Sequence, residues 1–80
     1  MGNKHPVLNY EALGNLLRNT RAITQLSQAQ FAERLGLPLA VFCRLERGQG
    51  PATLPQMVHI CNALGLSMDA ILARMISKEQ

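Results

Sequence analysis

The chain has 80 residues, a formal net charge of +3 and only two cysteines, Cys43 and Cys61. This length suits one small domain, and two cysteines are too few for the disulfide framework of a small secreted protein. The apolar runs are too short to cross a bilayer, and residues 1–10 lack the apolar core of a signal peptide. We therefore expect a cytoplasmic protein that makes no membrane contact.

Composition favours helices. Aromatic residues make up only 4% of the chain, and a core of Leu, Ile, Val, Met and Ala fits helices better than strands. Residues 1–8 are interpreted as a flexible N-terminal arm, residues 9–77 as the domain and residues 78–80 as a C-terminal tail. Apolar residues spaced at i, i+3, i+4 and i+7 predict a first helix over residues 10–23.

The second and third helices are marked by their ends. Ser27 and Gln30 have the spacing of a capping box at the start of the second helix, and Gly36 suits the turn that ends it. The third helix is predicted to begin near Pro38 and to end before Gly48. The excess positive charge of the whole chain weakly favours a polyanionic partner.

Two more helices follow the loop at residues 48–52. Thr53 and Gln56 form another capping box, and Ser67 is expected to cap the last helix after Gly65 ends the fourth. The predicted buried face of the fourth helix comprises Leu54, Met57, Val58, Cys61 and Leu64. The predicted apolar stripe of the fifth helix comprises Met68, Ile71, Leu72, Met75 and Ile76.

The segment SQAQFAERLGLPLAVFCRLERG, residues 27–48, has the pattern of a helix-turn-helix. Two short helices meet at one glycine, and apolar residues fall where the pair must bury its inner surface. In such a motif the second helix can enter the major groove of DNA.

Four segments, LSQAQFAERLG, RLERG, TLPQMVHICNALG and LSMDAIL, resemble the Cro/repressor family of XRE-like, lambda-repressor-like helix-turn-helix proteins. The resemblance implies an all-α fold, a compact five-helix domain. It also implies a sequence-specific DNA-binding transcriptional repressor that binds double-stranded DNA as a homodimer on a palindromic operator. The expected function is therefore gene regulation by the helix around residues 38–47.

Helical geometry predicts which side of the third helix faces outward. If Phe42 and Leu45 point inward, the other side carries Leu39, Ala40, Cys43, Arg44 and Arg47. Arg44 is the expected reader of guanine, and Leu39 and Ala40 suit thymine methyl groups. The predicted DNA-binding residues, with those that the resemblance adds, are Gln28, Pro38, Leu39, Ala40, Cys43, Arg44 and Arg47.

The resemblance also implies an internal ion pair between Arg18 on the first helix and Glu46 of RLERG. Arg47 and Arg21 are expected next to phosphates. Charge repulsion from an unpaired Glu46 would oppose DNA binding, so the ion pair would serve binding as well as folding.

Two alternatives stay open. The apolar outward face of the third helix could bind a partner protein, as in a protein-interaction module or an antitoxin that binds both DNA and a toxin. The apolar stripe of the fifth helix could form a dimer seam or simply close the core; its residues are Ile71, Leu72, Met75 and Ile76.

No motif in the sequence predicts catalysis. There is no GxSxG segment and no phosphate-cradling loop, and the acidic residues are scattered. His5 and His59 are isolated, so neither a metal site nor a cofactor is expected. We therefore expect a protein that is not an enzyme.

Overall fold

The computed structural model describes residues 7–77. Within them the chain forms the five predicted helices and is classed as all-α. The helices are α1 (Tyr10–Thr24), α2 (Gln28–Leu35), α3 (Leu39–Glu46), α4 (Leu54–Leu64) and α5 (Met68–Met75). None of these helices in residues 7–77 combines the length and the apolar character needed to span a bilayer.

The structure adds a short strand pair where the sequence predicts an arm and the end of a helix. Strand β1 (Val7–Leu8) pairs antiparallel with β2 (Ile76–Ser77), with Leu8 opposite Ile76. The backbone N–H of Asn9 also donates to the carbonyl of Met75 at 2.5 Å. The start and end of the domain are thereby joined. The remainder of the predicted arm, residues 1–6, and the tail at residues 78–80 lie outside the described residues.

The predicted helix starts are confirmed by their hydrogen bonds. Ser27 Oγ accepts from the Gln30 N–H at 3.1 Å, and Gln30 Oε1 accepts from the Ser27 N–H at 3.0 Å. Thr53 and Gln56 repeat this reciprocal arrangement at 3.2 and 2.9 Å. Such caps satisfy backbone donors that have no acceptor within the helix.

All five helices contribute to one core. Phe31 of α2 and Phe42 of α3 meet edge to face, with ring centroids 5.5 Å apart and an angle of 80° between the rings. This is the geometry that aromatic quadrupoles favour. The other buried apolar residues are Leu13, Leu17, Ala32, Leu35, Leu37, Leu45, Met57, Ile60, Cys61, Ile71 and Met75.

The predicted inner face of α4 is partly wrong. Leu54 and Val58 were assigned to the core, but their side chains are 69% and 44% exposed. Met57 and Cys61 are buried as predicted, and the position between them is taken by Ile60. The centre of the buried face lies nearer Met57 and Ile60 than the sequence predicts, and Leu54 and Val58 fall toward its exposed edge.

The stripe predicted on α5 divides between two roles. Ile71 and Met75 are completely buried within the chain, which excludes them from a dimer seam in this fold and makes them part of core closure. Leu72 is half-buried, and Ile76 lies in β2 with 39% of its surface exposed. The helix ends before Ile76, because this residue pairs with Leu8 as a strand.

A glycine sets the distance between α1 and α3. A Cβ atom at Gly14 would lie 2.8 Å from the carbonyl oxygen of Glu46 and 2.9 Å from both the carbonyl oxygen of Leu45 and the nitrogen of Gly48. Atoms in ordinary van der Waals contact are about 3.5–4.0 Å apart. The absence of a side chain at residue 14 therefore allows the carboxyl end of α3 to lie directly against α1.

Candidate nucleic-acid interface

The turn between α2 and α3 is fixed by its backbone. Gly36 adopts a φ of 74°, and its N–H donates to the carbonyl of Glu33 at 3.0 Å. The next N–H, of Leu37, donates to the carbonyl of Ala32 at 2.9 Å, and the Leu37 side chain is buried. A positive φ costs glycine little, which explains why this residue ends α2. The two helices are thus held in one relative orientation.

The outward face of α3 lies only partly where the sequence predicts it. Phe42 and Leu45 are completely buried, as expected for the inner side. On the other side, the side chain of Leu39 is 47% exposed. Its neighbours differ in exposure: Pro38, Ala40 and Arg47 are exposed, whereas Cys43 and Arg44 are half-buried. The first turn of α3 therefore presents a mainly apolar surface to the surroundings.

Arg44 reaches the loop after α3. Its Nη1 atom donates to the carbonyl of Pro51 at 3.0 Å and to the carbonyl of Gln49 at 3.3 Å. The sequence predicted Arg44 as a base reader and gave no sign of this contact, because carbonyl acceptors leave no trace in side-chain patterns. The proline and the adjacent glycines do mark a loop that would need such donors.

The same loop is also held from α1. The backbone N–H of Ala52 donates to the hydroxyl of Tyr10 at 3.3 Å. Gly50 lies so close to the ring of Tyr10 that a Cβ atom would collide with it. Contacts from α1 and from Arg44 together fix the loop at residues 48–52 against the body of the domain.

Glu46 is the centre of a polar cluster that joins three helices. Its side chain is buried, with 4% of its surface exposed. One carboxylate oxygen, Oε2, accepts from Arg21 Nε at 2.6 Å, and the other, Oε1, accepts from Gln28 Nε2 at 2.6 Å. These two bonds offset part of the penalty that a buried charge incurs on leaving water.

The predicted ion pair between Arg18 and Glu46 is wrong: the partner of the carboxylate is Arg21. Arg18 instead donates from Nη1 to the backbone carbonyl of Glu46 at 2.5 Å, and its Nη2 bonds Asn15. Arg18 and Arg21 lie one turn apart on α1, so both face the end of α3. The Glu46 carboxylate extends toward the start of α2, where it accepts hydrogen bonds from Arg21 of α1 and from Gln28 of α2.

Gln28 therefore has a structural contact that the sequence did not predict. It is the first residue of α2, and its side-chain nitrogen is bound to Glu46. The N–H groups of the first turn of a helix have no acceptors within the helix and carry a positive partial charge. The contact of Gln28 with phosphate or a base stays a prediction, as do the DNA contacts of the other predicted residues.

Two short helices joined by a tight glycine turn, with the second exposing one side along the surface, define a helix-turn-helix domain. The chain belongs to this family: the sequence model of the helix-turn-helix domain matches residues 12–74. The resemblance seen in the sequence motifs is confirmed.

Two relatives show what kinds of protein the chain is similar to. It is 33% identical over 63 residues to the cryptic phage CTXphi transcriptional repressor RstR of Vibrio cholerae serotype O1, covering 79% of this chain and 56% of the relative. The chain thus spans little more than half the length of that protein. It also resembles the crystal structure of the clp gene regulator ClgR from C. glutamicum, with a TM-score of 0.62 and 31% identity over 81% of this chain and 84% of the other.

Proposed function

We propose that this protein is a DNA-binding transcriptional regulator, acting as a repressor in the cytoplasm, and that α3 lies in the major groove of its operator. The observation that carries the proposal is the division of α3 into two sides. Phe42 and Leu45 anchor one side completely in the core, whereas Leu39 and its neighbours remain exposed on a helix of only eight residues. A helix held in this way can present its outer side to a groove about 12 Å wide.

The similarity to a repressor and to a gene regulator supports the same role. The proposed interface consists of the outward face of α3 and the start of α2. Its residues are Gln28, Pro38, Leu39, Ala40, Cys43, Arg44 and Arg47. In this arrangement the amino end of α2 and the exposed Arg47 are placed near phosphates, and the first turn of α3 is placed near base edges.

We further propose that two copies bind a two-fold symmetric site. Each copy would occupy one half-site, with centres about 34–36 Å apart along the DNA. A domain of this size makes few phosphate contacts alone, and a second copy doubles them. Sedimentation of the protein with and without its duplex tests this stoichiometry, and a one-to-one complex on a symmetric site would contradict it.

The DNA-binding proposal is tested by selecting bound fragments from a pool of duplexes with about 20 randomised base pairs, two half-sites of one helical turn each. We expect one sequence to be enriched, and its affinity to fall as salt rises because phosphate contacts release counterions. Failure to enrich any duplex, or an affinity that does not respond to salt, would refute the proposal.

A pair of charge variants sharpens the salt measurement. Arg47→Ala, at the exposed carboxyl end of α3, is expected to lower the slope of log affinity against log salt by about 1. Arg74→Ala removes the same charge from the exposed side of α5 and should leave the slope unchanged. Equal effects of the two variants would show that the positive charge acts through the whole molecule and not at α3.

The exposure of Leu39 also favours a second candidate, a protein-interaction module or an antitoxin that covers the same face with a partner such as a toxin. Capture experiments with the selected duplex as competitor separate the two candidates. A partner displaced by the duplex would share the face with DNA, whereas a partner captured without any duplex ever being enriched would favour protein binding alone.

A further inference from the structure

Two polar side chains expected to contact DNA, those of Gln28 and Arg44, already form hydrogen bonds within the chain. Gln28 Nε2 is 2.6 Å from a carboxylate oxygen of Glu46. Arg44 Nη1 donates to the carbonyls of Gln49 and Pro51. Moving either of these two nitrogen atoms to a base would break these bonds and would leave the carboxylate or the two carbonyls without those donors.

The part of α3 that is left to meet bases is apolar. Pro38 precedes the helix, and Leu39 and Ala40 form the exposed side of its first turn. No atom of these three side chains donates or accepts a hydrogen bond. Arg47 lies eight residues beyond Leu39, roughly 12 Å along the helix at 1.5 Å per residue, which places it away from this turn.

The floor of the major groove offers one apolar group, the C5-methyl of thymine. The edges of guanine, cytosine and adenine present hydrogen-bond donors and acceptors, which a leucine or alanine side chain would desolvate without replacing their bonds. An apolar first turn is therefore penalised over guanine and cytosine edges and favoured over thymine.

We propose that the protein recognises its operator through thymine methyl groups in contact with Leu39 and Ala40. In this scheme Arg44 is a positioning residue that holds the loop at residues 48–52 and takes no part in reading bases. The inference rests on the proposed function, because it requires α3 to enter the major groove.

The test removes methyl groups from the DNA and from the protein in the same experiment. The selected duplex is prepared with deoxyuridine replacing thymidine at each position in turn, which deletes only the C5-methyl group. Burying one methyl group contributes about 0.8 kcal/mol. We therefore expect the affinity to fall about fourfold when a contacted methyl group is deleted. Leu39→Ala should bind the thymine duplex more weakly and should lose the discrimination between thymine and uracil at the contacted position.

Val58→Ala is the matched control for the protein side. Val58 has nearly the same exposed fraction as Leu39, 44% against 47%, but lies on α4. This variant should keep the full discrimination between thymine and uracil. If Leu39→Ala keeps it as well, Leu39 does not contact the methyl group and the inference is overturned.

Arg44→Ala tests the second half of the scheme. As a positioning residue it should weaken binding to the thymine and uracil duplexes by the same factor and leave the selected sequence unchanged. A base-reading arginine would instead relax the preference for one guanine, and that result would overturn its assignment as a positioning residue.

The outcomes also separate this inference from the proposed function. Enrichment of a duplex whose uracil forms bind as well as the thymine form refutes methyl recognition and leaves DNA binding intact. An enriched sequence without a preferred thymine in either half-site does the same. If no duplex is enriched, both proposals fail together.

Discussion

Replacing Gly14 by alanine tests whether the backbone contact between α1 and α3 determines the packing of this domain. At an exposed position inside a helix, changing glycine to alanine stabilises a protein by about 1 kcal/mol, because alanine loses less conformational entropy. Gly14 lies in the middle of α1 but is buried. The gain in helix propensity therefore predicts higher stability, whereas the steric clash of a methyl group at a buried position predicts lower stability.

The cost of the added methyl group follows from the distances. It would lie 2.8–2.9 Å from three backbone atoms, those of Leu45, Glu46 and Gly48. Backbone atoms cannot rotate away as a side chain can, so α1 and α3 would have to separate by roughly 0.5–1 Å to restore ordinary contact. Overpacking of this kind costs about 1–3 kcal/mol and occasionally more. Separation would also stretch the bond from Arg18 to the Glu46 carbonyl, which places the cost at the upper end.

We therefore expect Gly14→Ala to lower the free energy of unfolding by about 1–2 kcal/mol after the gain in helix propensity is subtracted. In a domain of this size that corresponds to a melting temperature lower by roughly 5–15 °C, measured by circular dichroism at 222 nm. Asn19→Ala, on the exposed side of the same helix, is the control and should raise stability by about 0.5 kcal/mol. If Gly14→Ala melts at or above the temperature of the parent, the close contact does not limit the packing.

Two further substitutions test local features. Arg21→Ala should lower the free energy of unfolding by about 1–3 kcal/mol, because it leaves the buried Glu46 carboxylate without its cation. Urea titration measures this free energy. Arg18→Gln, which leaves the ion pair in place, is the control and should be less destabilised. Within residues 7–77, Gln25 has a positive φ of 60° although it is not a glycine. This conformation is strained for a residue with a side chain, so Gln25→Gly should stabilise the domain by about 1 kcal/mol in thermal melts. Ala63→Gly, inside α4, introduces the same residue where the backbone is helical and should have the opposite effect.

The helices were predictable from sequence because their ends are marked locally. Ser27 and Thr53 each have a glutamine three residues later, and Gly36 and Gly65 end the helices that follow these caps. The end of α1 has no such mark. Gln25 takes the left-handed conformation that glycine usually supplies, and the predicted end at residue 23 was therefore one residue short of the observed Thr24.

Contacts between distant residues were not predictable in the same way. The partner of Glu46 depends on which of two arginines, one turn apart, lies nearer the start of α2, and helix periodicity places both on the same side. On α4, leucine and valine at positions 54 and 58 are apolar enough for a core, and only the packing of Ile60 shows that they face outward. The pairing of β1 with β2 joins residues nearly seventy positions apart, and no local pattern encodes it.

These contacts are unevenly distributed along α3, and the distribution bears on its function. At the carboxyl end, Gly14 lies against the backbone, Arg18 binds the last carbonyl of the helix, and Arg21 and Gln28 bind the Glu46 carboxylate. At the amino end, the side chains of Leu39 and its exposed neighbours take no part in these contacts. Substitutions of Leu39 in the first turn should therefore change what the helix recognises at little cost in stability, whereas substitutions of Glu46 at the last turn should lower stability before they alter recognition.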